Sequence, residues 1–398
     1  MKAVAIISSG FGEVGNHELE NKIVTIAKRA GIRVLGPNCL GVYDSKTGVD
    51  MLFLPETKVL TTGEEVVATP RPMLGNIAIV TQSGAFGVSA LDYLAGRQIG
   101  VSKFVSFGNK CDVDEAEMLH YLLYDAETKV MLLYVEDIKS GRHFLNIAKE
   151  VSKKKPIVAL KAGKTTAGAR AAASHTGAMA GSDQIYDAVF VQTGVLRAKD
   201  MEEFFDAGKA LAMQPPATGK NVGIITDAGG PGIMAADECE LKGLFVKRFS
   251  EETVQKFEKL KREGKLPKFA TNLNPVDITG SGTSEMFELA TEILFEDPEI
   301  CGILLLGLHH TPALQEDYID RVAEVASKYD KPIVACDIGE TEMALHTRFR
   351  FDKLGIPAYS SPEDAARAMN ALVKYGLYLK KHSCLSDYLQ SFLKNKKV

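Results

Sequence analysis

Short apolar runs alternate with amphipathic segments along most of the chain. Typical runs are NIAIV, VMLLYV, KPIVAL, NVGIIT, GILLL and KPIVA, and most are followed closely by a turn that contains glycine. Helices cover both faces of a parallel sheet, so its strands are continuous apolar runs rather than alternating ones. The pattern therefore predicts an α/β protein built from βαβ units.

The chain also contains an internal duplication. GNIAIVTQSGAFGVSALDYL, from residue 75, aligns with KNVGIITDAGGPGIMAADEC, from residue 220. Further on, KKPIVALKAGKT aligns with DKPIVACDIGET. A repeat of this kind predicts two copies of one structural unit. We expect two flavodoxin-like lobes with doubly wound parallel sheets, at residues 70–212 and 218–382, followed by a C-terminal tail at 383–398.

The region before the first lobe has a different pattern. KAVAIISSGFGEVG, NHELENKIVTIAKRAGI and RVLGPNCLGV are typical of a strand with its loop, a helix and a second strand. A doubly wound domain usually has five or six strands, so this is about half of one. We interpret residues 1–66 as the C-terminal half of a Rossmann-type domain, and expect either a natural truncation or a start codon assigned too late.

Composition excludes several classes of protein. The 398 residues are 45% hydrophobic and 25% charged, which is typical of a soluble globular chain, and the net charge of −4 provides no basic field for nucleic acid or an anionic membrane. The six cysteines are dispersed without a C-x-x-C pair, so neither a disulfide framework nor a zinc ribbon is indicated. No run has the length of a signal peptide core or a membrane span. A cytoplasmic protein fits these features best.

The first strand of each lobe leads into a turn of small residues. We expect TQSGAFG to precede a helix near Val88, and DAGGPG to precede a helix at Ile233. Unobstructed N–H groups at a helix N-terminus favour an anion, and two such ends could meet on one phosphate. Ordinary tight βα turns are the alternative, and either turn taken alone favours it. The candidate phosphate contacts are Ser83, Gly84, Ala85, Gly229, Gly230 and Gly232.

One histidine lies in a tract of Gly, Ala, Ser and Thr at residues 161–183, KAGKTTAGARAAASHTGAMAGSD. A tract of this length predicts a loop, which in a compact domain is usually functional or disordered. Lys161, Lys164 and Arg170 add cations that suit phosphate. Neutral imidazole is a nucleophile near neutral pH, so His175 is a candidate for covalent catalysis. An exposed loop histidine is the alternative.

Glu136 is the candidate partner of that histidine. It follows the apolar run VMLLYV, and ligands bind at the carboxyl edge of such sheets. A carboxylate hydrogen-bonded to one ring nitrogen would fix the tautomer and leave the other nitrogen free. A surface carboxylate at a strand end is equally consistent with the sequence. His309 and His310 follow the corresponding strand of the second lobe, but two adjacent rings without a third ligand do not make a metal site.

Six blocks of sequence give a more specific indication. GPNCLG, GNIAIVTQSGAFG, YVED, SHTGAMAGSD, DAGGPGIMAAD and NPVDITG occur in this order. Together they resemble the α chain of the nucleoside-diphosphate-forming acyl-CoA synthetases, relatives of succinyl-CoA synthetase, and the ADP-forming acetate–CoA ligases of archaea above all. The resemblance implies that His175 is phosphorylated during turnover, that Glu136 contacts it, and that the two turns stabilise phosphate.

The resemblance also implies a reaction and its partners. Acyl-CoA, ADP and phosphate would be converted reversibly into a carboxylic acid, ATP and CoA, through an acyl phosphate and a phosphohistidine. Mg²⁺ and nucleotide would bind mainly to a separate ATP-grasp β subunit in an α2β2 assembly, with no metal site in this chain. The implied CoA contacts are Ser9, Gly10, Phe11, Glu13, Pro37 and Asn38.

Some questions stay open at this point. Members of the family begin with a complete CoA-binding domain, whose first half has no counterpart here. A CoA-binding or acyl-CoA-binding regulatory module that lacks catalysis is therefore the alternative function. The sequence also leaves the acyl group, and the choice between ADP and GDP, undetermined.

Overall fold

A computed structural model describes the backbone of residues 1–176 and 182–396, together with their side chains except those of residues 173–176 and 395–396. The chain divides into two compact units, Met1–Gly208 and Lys209–Val398. In the part of the chain that the structure describes, no helix has both the length and the apolar character needed to cross a bilayer.

The first unit contains eleven strands and six complete helices within its described residues. Its strands are β1 (Ala3–Ala5), β2 (Arg33–Leu35), β3 (Gly41–Asp44), β4 (Val49–Asp50), β5 (Thr57–Val59), β6 (Glu65–Val67), β7 (Leu74–Thr81), β8 (Val101–Ser106), β9 (Val130–Val135), β10 (Ile157–Lys161) and β11 (Leu196–Arg197). Its helices are α1 (His17–Arg29), α2 (Gly84–Gly96), α3 (Glu115–Tyr124), α4 (Gly141–Val151), α5 (Thr166–Thr176) and α6 (Asp183–Thr193). Helix α7 (Met201–Met213) contains the boundary between the units.

The main sheet of the first unit has seven strands in the order β11-β10-β9-β7-β8-β3-β4. Strands β7 to β11 are parallel to one another, and their order is the 2-1-3-4-5 arrangement of a flavodoxin-like sheet. Apolar side chains such as Val80, Phe104 and Leu132 are completely buried, as expected for strands covered on both faces. The predicted flavodoxin-like fold is confirmed in this unit.

The segment before β7 contributes strands to three different sheets, one of which is the antiparallel pair of β5 and β6. Strands β1 and β2 form a separate parallel pair, whereas β3 runs antiparallel to β8 at the edge of the main sheet and β4 pairs with β3. The sequence predicted one strand over RVLGPNCLGV, and the structure shows two. Gly36 has a φ of 100° and Asn38 a φ of 58°, so the backbone turns between them instead of remaining extended.

The second unit repeats the architecture. Its strands are β12 (Val222–Thr226), β13 (Val276–Asp277), β14 (Gly302–Leu306), β15 (Ile333–Cys336) and β16 (Ala358–Tyr359). Its helices after α7 are α8 (Gly229–Leu241), α9 (Glu251–Arg262), α10 (Ser284–Glu296), α11 (Tyr318–Ala326), α12 (Glu342–Lys353), α13 (Pro362–Lys381) and α14 (Leu385–Lys396). The parallel sheet has the order β13-β12-β14-β15-β16, which is again 2-1-3-4-5. The duplication read from the sequence is therefore a duplication of topology.

Two predicted irregular segments contain helices. Residues 166–176 of the predicted loop form α5, and the alanines of this segment, which have the highest helix propensity of any residue, account for the difference. The predicted tail contains α14, whose Tyr388 ring meets that of Tyr375 edge to face at 5.2 Å between centroids. Burying this aromatic contact gives the last helix a surface to pack against.

Candidate functional site

The site begins at the switch point of the first sheet, between the carboxyl ends of β7 and β9. Gln82 follows β7 and bridges the two strands. Its Oε1 accepts hydrogen bonds from the backbone N–H groups of Glu136, at 2.9 Å, and Asp137, at 3.2 Å, while its Nε2 donates to Asp137 Oδ1 at 2.5 Å. Ligands bind at this point in doubly wound sheets, so one side chain positions the predicted catalytic carboxylate where a ligand is expected.

Glu136 itself lies in a mostly buried position and is 8% exposed. Burial, the charge of Glu136 and a hydrogen bond to it raise the pKa of Tyr134 to about 12, so this phenol stays protonated at neutral pH. Phe86 stacks on the Tyr134 ring with 4.2 Å between centroids. The backbone around Glu136 is therefore fixed by the stacked Phe86 and Tyr134 rings and by the hydrogen bond to Gln82.

Lys110 forms ion pairs with two acids, Glu115 and Asp137, the residue next to Glu136. Its ammonium lies 3.1 Å from Asp137 Oδ1 and 3.2 Å from Glu115 Oε2, and its side chain is fully buried. Although burial works to raise the pKa of Asp137, the charge of Lys110 and the hydrogen bond from Gln82 outweigh it and lower that pKa. Asp137 is thus held as a paired carboxylate beside Glu136.

The predicted nucleophile lies on α5. This helix follows β10, the neighbour of β9, and His175 is in its last turn. The side chain of His175 lies outside the described residues, as do residues 177–181 of the SHTGAMAGSD block. Direct contact between Glu136 and His175 therefore stays a prediction. The backbone shows that α5 follows β10, and that β10 is the neighbour of β9, the strand that leads to Glu136.

The helix starts differ from the sequence prediction in position. Helix α2 begins at Gly84, earlier than predicted, and the Ser83 hydroxyl caps it by accepting from Phe86 N–H at 3.2 Å. The N–H of Gly87 bonds to the carbonyl of Ser83. Within the described contacts, the N–H groups of Gly84 and Ala85 have no acceptor, so two donors at the positive end of the helix are available to an anion.

Helix α8 leaves the same two positions open. It begins at Gly229, and no side chain caps it. Its third position is Pro231, which has no N–H, and Gly232 N–H is bonded to the carbonyl of Ala228 at 3.2 Å. Gly229 and Gly230 therefore keep open donors, with no acceptor among the described contacts.

Gly232, a predicted phosphate contact, has a packing role in the structure. A Cβ at this position would lie 2.8 Å from the Thr226 methyl group, and one at Gly87 would lie 2.9 Å from the Thr81 methyl group. In each lobe the glycine lets the helix approach the threonine that ends the first strand. Its N–H is already used within the helix, so Gly232 offers no donor to a ligand.

Register identifies what stands in the place of Glu136 in the second lobe. Thr81 lies opposite Tyr134 in one sheet, and Thr226 lies opposite Leu306 in the other. Leu308 is consequently the counterpart of Glu136. Asp227 accepts from Leu308 N–H at 3.2 Å, as Gln82 accepts from Glu136 N–H. His309 and His310 thus begin one residue after the position that corresponds to Glu136. That position holds a carboxylate in the first lobe and a leucine in the second.

His309 has a structural partner. Its Nδ1 lies 2.7 Å from Oδ1 of the fully buried Asp337, and its ring lies 3.8 Å from that of His310 between centroids. Burial raises the pKa of Asp337, against the opposing effect of His309. Arg348 donates to the backbone carbonyl of Asp337 at 2.8 Å. Among the described residues, no group of three or more His, Cys, Asp or Glu side chains is placed to hold a metal ion.

The predicted CoA contacts form one wall made of two adjacent loops. Asn38 N–H donates to the carbonyl of Ser8 at 3.0 Å, next to the exposed Ser9 and Gly10. The Glu13 carboxylate accepts from the N–H groups of Gly10 and Phe11, at 3.2 Å for Phe11. Its oxygens are therefore used inside the loop, which makes Glu13 a residue that shapes this wall.

Asn109 connects this wall to the first lobe. Its Nδ2 donates to Glu20 at 2.9 Å and also to Glu13, its N–H donates to the buried Pro37 carbonyl at 2.9 Å, and its Oδ1 accepts from Asn38 at 3.4 Å. Lys110, the next residue, anchors Asp137. From the sequence, the Asn and Asp of SFGNKCDVD are expected to shape a loop near the site, with structural turn chemistry as the alternative, but their partners are distant in sequence.

Comparison with known proteins agrees with this architecture. The family model of the succinyl-CoA ligase like flavodoxin domain matches residues 74–211, and that of the Ligase-CoA domain matches residues 222–377. The chain is 39% identical over 389 residues to the α subunit of acetate–CoA ligase (ADP-forming) I from Pyrococcus furiosus, a match that covers 96% of this chain and 79% of that subunit. The chain belongs to the ADP-forming acetate–CoA ligase family.

Other members of the acetate–CoA ligase family are longer single chains. The enzyme of Methanocaldococcus jannaschii is 38% identical over 98% of this chain, which corresponds to 53% of that protein, so the chain spans about half the length of such relatives. Acetyl-coenzyme A synthetase 1 of Ca. Korarchaeum cryptofilum, solved with phosphate and ADP, superimposes with a TM-score of 0.85 and is 34% identical. That match covers 96% of this chain and 79% of the other.

Proposed function

We propose that this chain is the α subunit of an ADP-forming acyl-CoA synthetase that works through a phosphohistidine at His175. The observation that carries the proposal is the placement of Glu136 at the switch point of the first sheet, with α5, the helix of His175, following the adjacent strand. Family membership supports the reaction class, because the named relatives are ADP-forming acetate–CoA ligases.

The reaction divides into three reversible transfers. A phosphate oxygen attacks the thioester carbon of acyl-CoA, and the C–S bond breaks to release CoA and leave an acyl phosphate. An imidazole nitrogen of His175 then attacks phosphorus, and the bond to the acyl oxygen breaks to release the carboxylate. Finally the β-phosphate of ADP attacks phosphorus, and the P–N bond breaks to give ATP and free His175.

The scheme assigns a role to each of the site residues. Glu136 orients the ring of His175 and compensates the positive charge that it carries once phosphorylated. The open N–H groups of Gly84 and Ala85 bind phosphoryl oxygens at the start of α2, and α8 offers an equivalent pair in its own unit. The loops that contain Ser9, Gly10, Pro37 and Asn38 are the part of the chain proposed to contact CoA.

A partner completes the proposal. A β subunit of the ATP-grasp type would bind ADP or ATP and Mg²⁺, in an α2β2 assembly. Mg²⁺ there would neutralise charge on the transferred phosphoryl group. An α-subunit relative named as such, from Pyrococcus furiosus, supports a separate partner subunit.

The test uses the chain together with its partner subunit and radiolabelled ATP. We expect one acid-labile, base-stable phosphate on the wild-type chain and none on His175→Asn. Glu136→Gln should slow labelling by roughly 10²-fold or more, because a misoriented nucleophile loses rate steeply. His143→Asn is the matched control, since His143 is exposed on α4, and should be labelled like the wild type. Undiminished labelling of His175→Asn would contradict the proposal.

A further inference from the structure

The inference concerns four lysines that are buried in the described part of the chain: Lys103, Lys110, Lys161 and Lys209. Three of them are paired with acids. Lys103 lies 3.3 Å from both Asp44 and Asp125. Lys110 lies 3.1 Å from Asp137 and 3.2 Å from Glu115, and Lys209 lies 2.7 Å from Asp352. Paired carboxylates are the usual condition for burying an ammonium group.

Lys161 is the exception, although only 1% of its surface is exposed. Its ammonium donates to the backbone carbonyl of Ala162 and lies over the Tyr186 ring, 4.6 Å from the centroid. No carboxylate of the described residues lies within 4.0 Å of it. An ammonium group has three donors, and the direct partners described for this one are the neutral Ala162 carbonyl and Tyr186 ring, so it forms no ion pair with a described residue.

Electrostatics agree with the geometry. Burial lowers the pKa of Lys161. The more distant carboxylates of Asp183, Asp137 and Glu136 oppose this effect without outweighing it, and Arg197 adds to it. For Lys103 the effect of burial is outweighed by Asp125 and Asp44, and the pKa is raised. A buried cation without a counter-ion costs stability unless an anionic ligand supplies the missing charge.

The position of Lys161 indicates which ligand. Lys161 is the last residue of β10 and pairs in register with Val135, the residue immediately before Glu136. The chain then continues through a short turn into α5, which contains His175. Lys161 ends β10 and Glu136 directly follows β9, so both residues lie at the carboxyl edge of the sheet, on neighbouring strands.

We infer that Lys161 is the counter-ion of the phosphoryl group that His175 carries, with its ammonium contacting a non-bridging phosphoryl oxygen. The inference rests on the proposed function and adds a residue to it. Lys161 forms no covalent bond and keeps its protons, so the bonds made and broken at phosphorus are those already described. An ammonium that is desolvated before the phosphoryl group arrives interacts with it more strongly than one in water.

Lys161→Met tests the inference in the full chain with its partner subunit. We expect the rate of His175 labelling from ATP to fall by roughly 10²-fold, as for loss of one fixed charge-stabilising donor. Lys155→Met is the matched control. Lys155 lies just before the other end of β10, burial lowers its pKa as well, and it donates to the carbonyls of Leu122 and Asp125 at 2.8 and 2.6 Å. Labelling of this control should stay within about twofold of wild type.

Thermal unfolding of the free chain gives a second readout that does not depend on activity. Removing an unpaired buried charge should leave the melting temperature of Lys161→Met unchanged or raised, whereas Lys155→Met loses two hydrogen bonds and should melt lower. Wild-type labelling in Lys161→Met, or a drop in its melting temperature as large as that of the control, would overturn the inference. An unlabelled wild-type chain would instead refute the proposed function.

Discussion

Replacing Gln82 by leucine tests how the catalytic carboxylate is positioned. The side chain of Gln82 makes three hydrogen bonds across the switch point, two to the backbone N–H groups of Glu136 and Asp137 and one to the Asp137 carboxylate. Gln82 is 8% exposed, so water does not replace these bonds readily. Leucine is of similar size but leaves two backbone donors unsatisfied.

The expected loss can be estimated from these contacts. The lost bond to the Asp137 carboxylate costs about 1 kcal/mol and each of the two unsatisfied donors about 1–1.5 kcal/mol, the lower end of the cost of a buried donor, so the total loss is about 3–4 kcal/mol. For a unit of roughly 200 residues this lowers the melting temperature by about 6–16 °C. Glu136 also loses the acceptor that fixes its backbone, and a displacement of about 1 Å at a reacting group costs roughly 10²-fold in rate.

Gln214 provides a matched control in the second unit. It is also buried, donates from Nε2 to the Gly355 carbonyl at 2.6 Å and accepts from Ile333 N–H at 3.0 Å. Gln214→Leu should lose about 2–3 kcal/mol of stability by the same reasoning. Measured well below either melting temperature, His175 labelling should be slow in Gln82→Leu and normal in Gln214→Leu. Equal labelling rates in the two variants would refute the positioning role of Gln82.

Two further predictions concern buried charge and thiols. Lys110→Met leaves the carboxylates of Asp137 and Glu115 unpaired and should cost about 3–5 kcal/mol near pH 7. Without Lys110 both folded-state pKa values rise above the unfolded ones, so the loss in urea unfolding should shrink as pH falls through them, and a loss independent of pH would contradict this. Burial raises the pKa of Cys39, Cys239 and Cys336, to about 12 for Cys239, so a thiol reagent near pH 8 should modify at most Cys111, Cys301 and Cys384 in the native chain. A fourth fast thiol in the native chain would contradict the predicted burial, and all six should react in urea.

The sheet architecture was predictable because it depends on local signals. Apolar runs such as VMLLYV and GILLL mark buried parallel strands, and the repeated order of runs marked the duplication. The place of Glu136 followed from the same logic, since the residue after a buried strand lies at the carboxyl edge. Helix α5 was not predicted because its glycine, serine and threonine residues favour a loop, whereas its alanines favour a helix.

The supporting contacts were not predictable, because they join residues that are distant in sequence. Asn109 reaches Glu20 and Asn38, and Lys110 reaches Asp137, each through a bond that only the tertiary fold creates. The edge strand β3 was missed for a similar reason, since its pairing with β8 depends on the turn around Asn38. Whether an acid lies within ion-pair distance of Lys161 likewise depends on the tertiary structure.

The two helix starts carry a lesson about how duplicated domains diverge. Helix α2 satisfies its third N–H with the Ser83 hydroxyl, whereas α8 removes that N–H altogether by placing Pro231 there. Both solutions leave two adjacent donors, at Gly84 and Ala85 in one lobe and at Gly229 and Gly230 in the other. A substitution that restored an acceptor for these two donors would therefore alter both lobes in the same way, although the residues that deal with the third N–H differ between them.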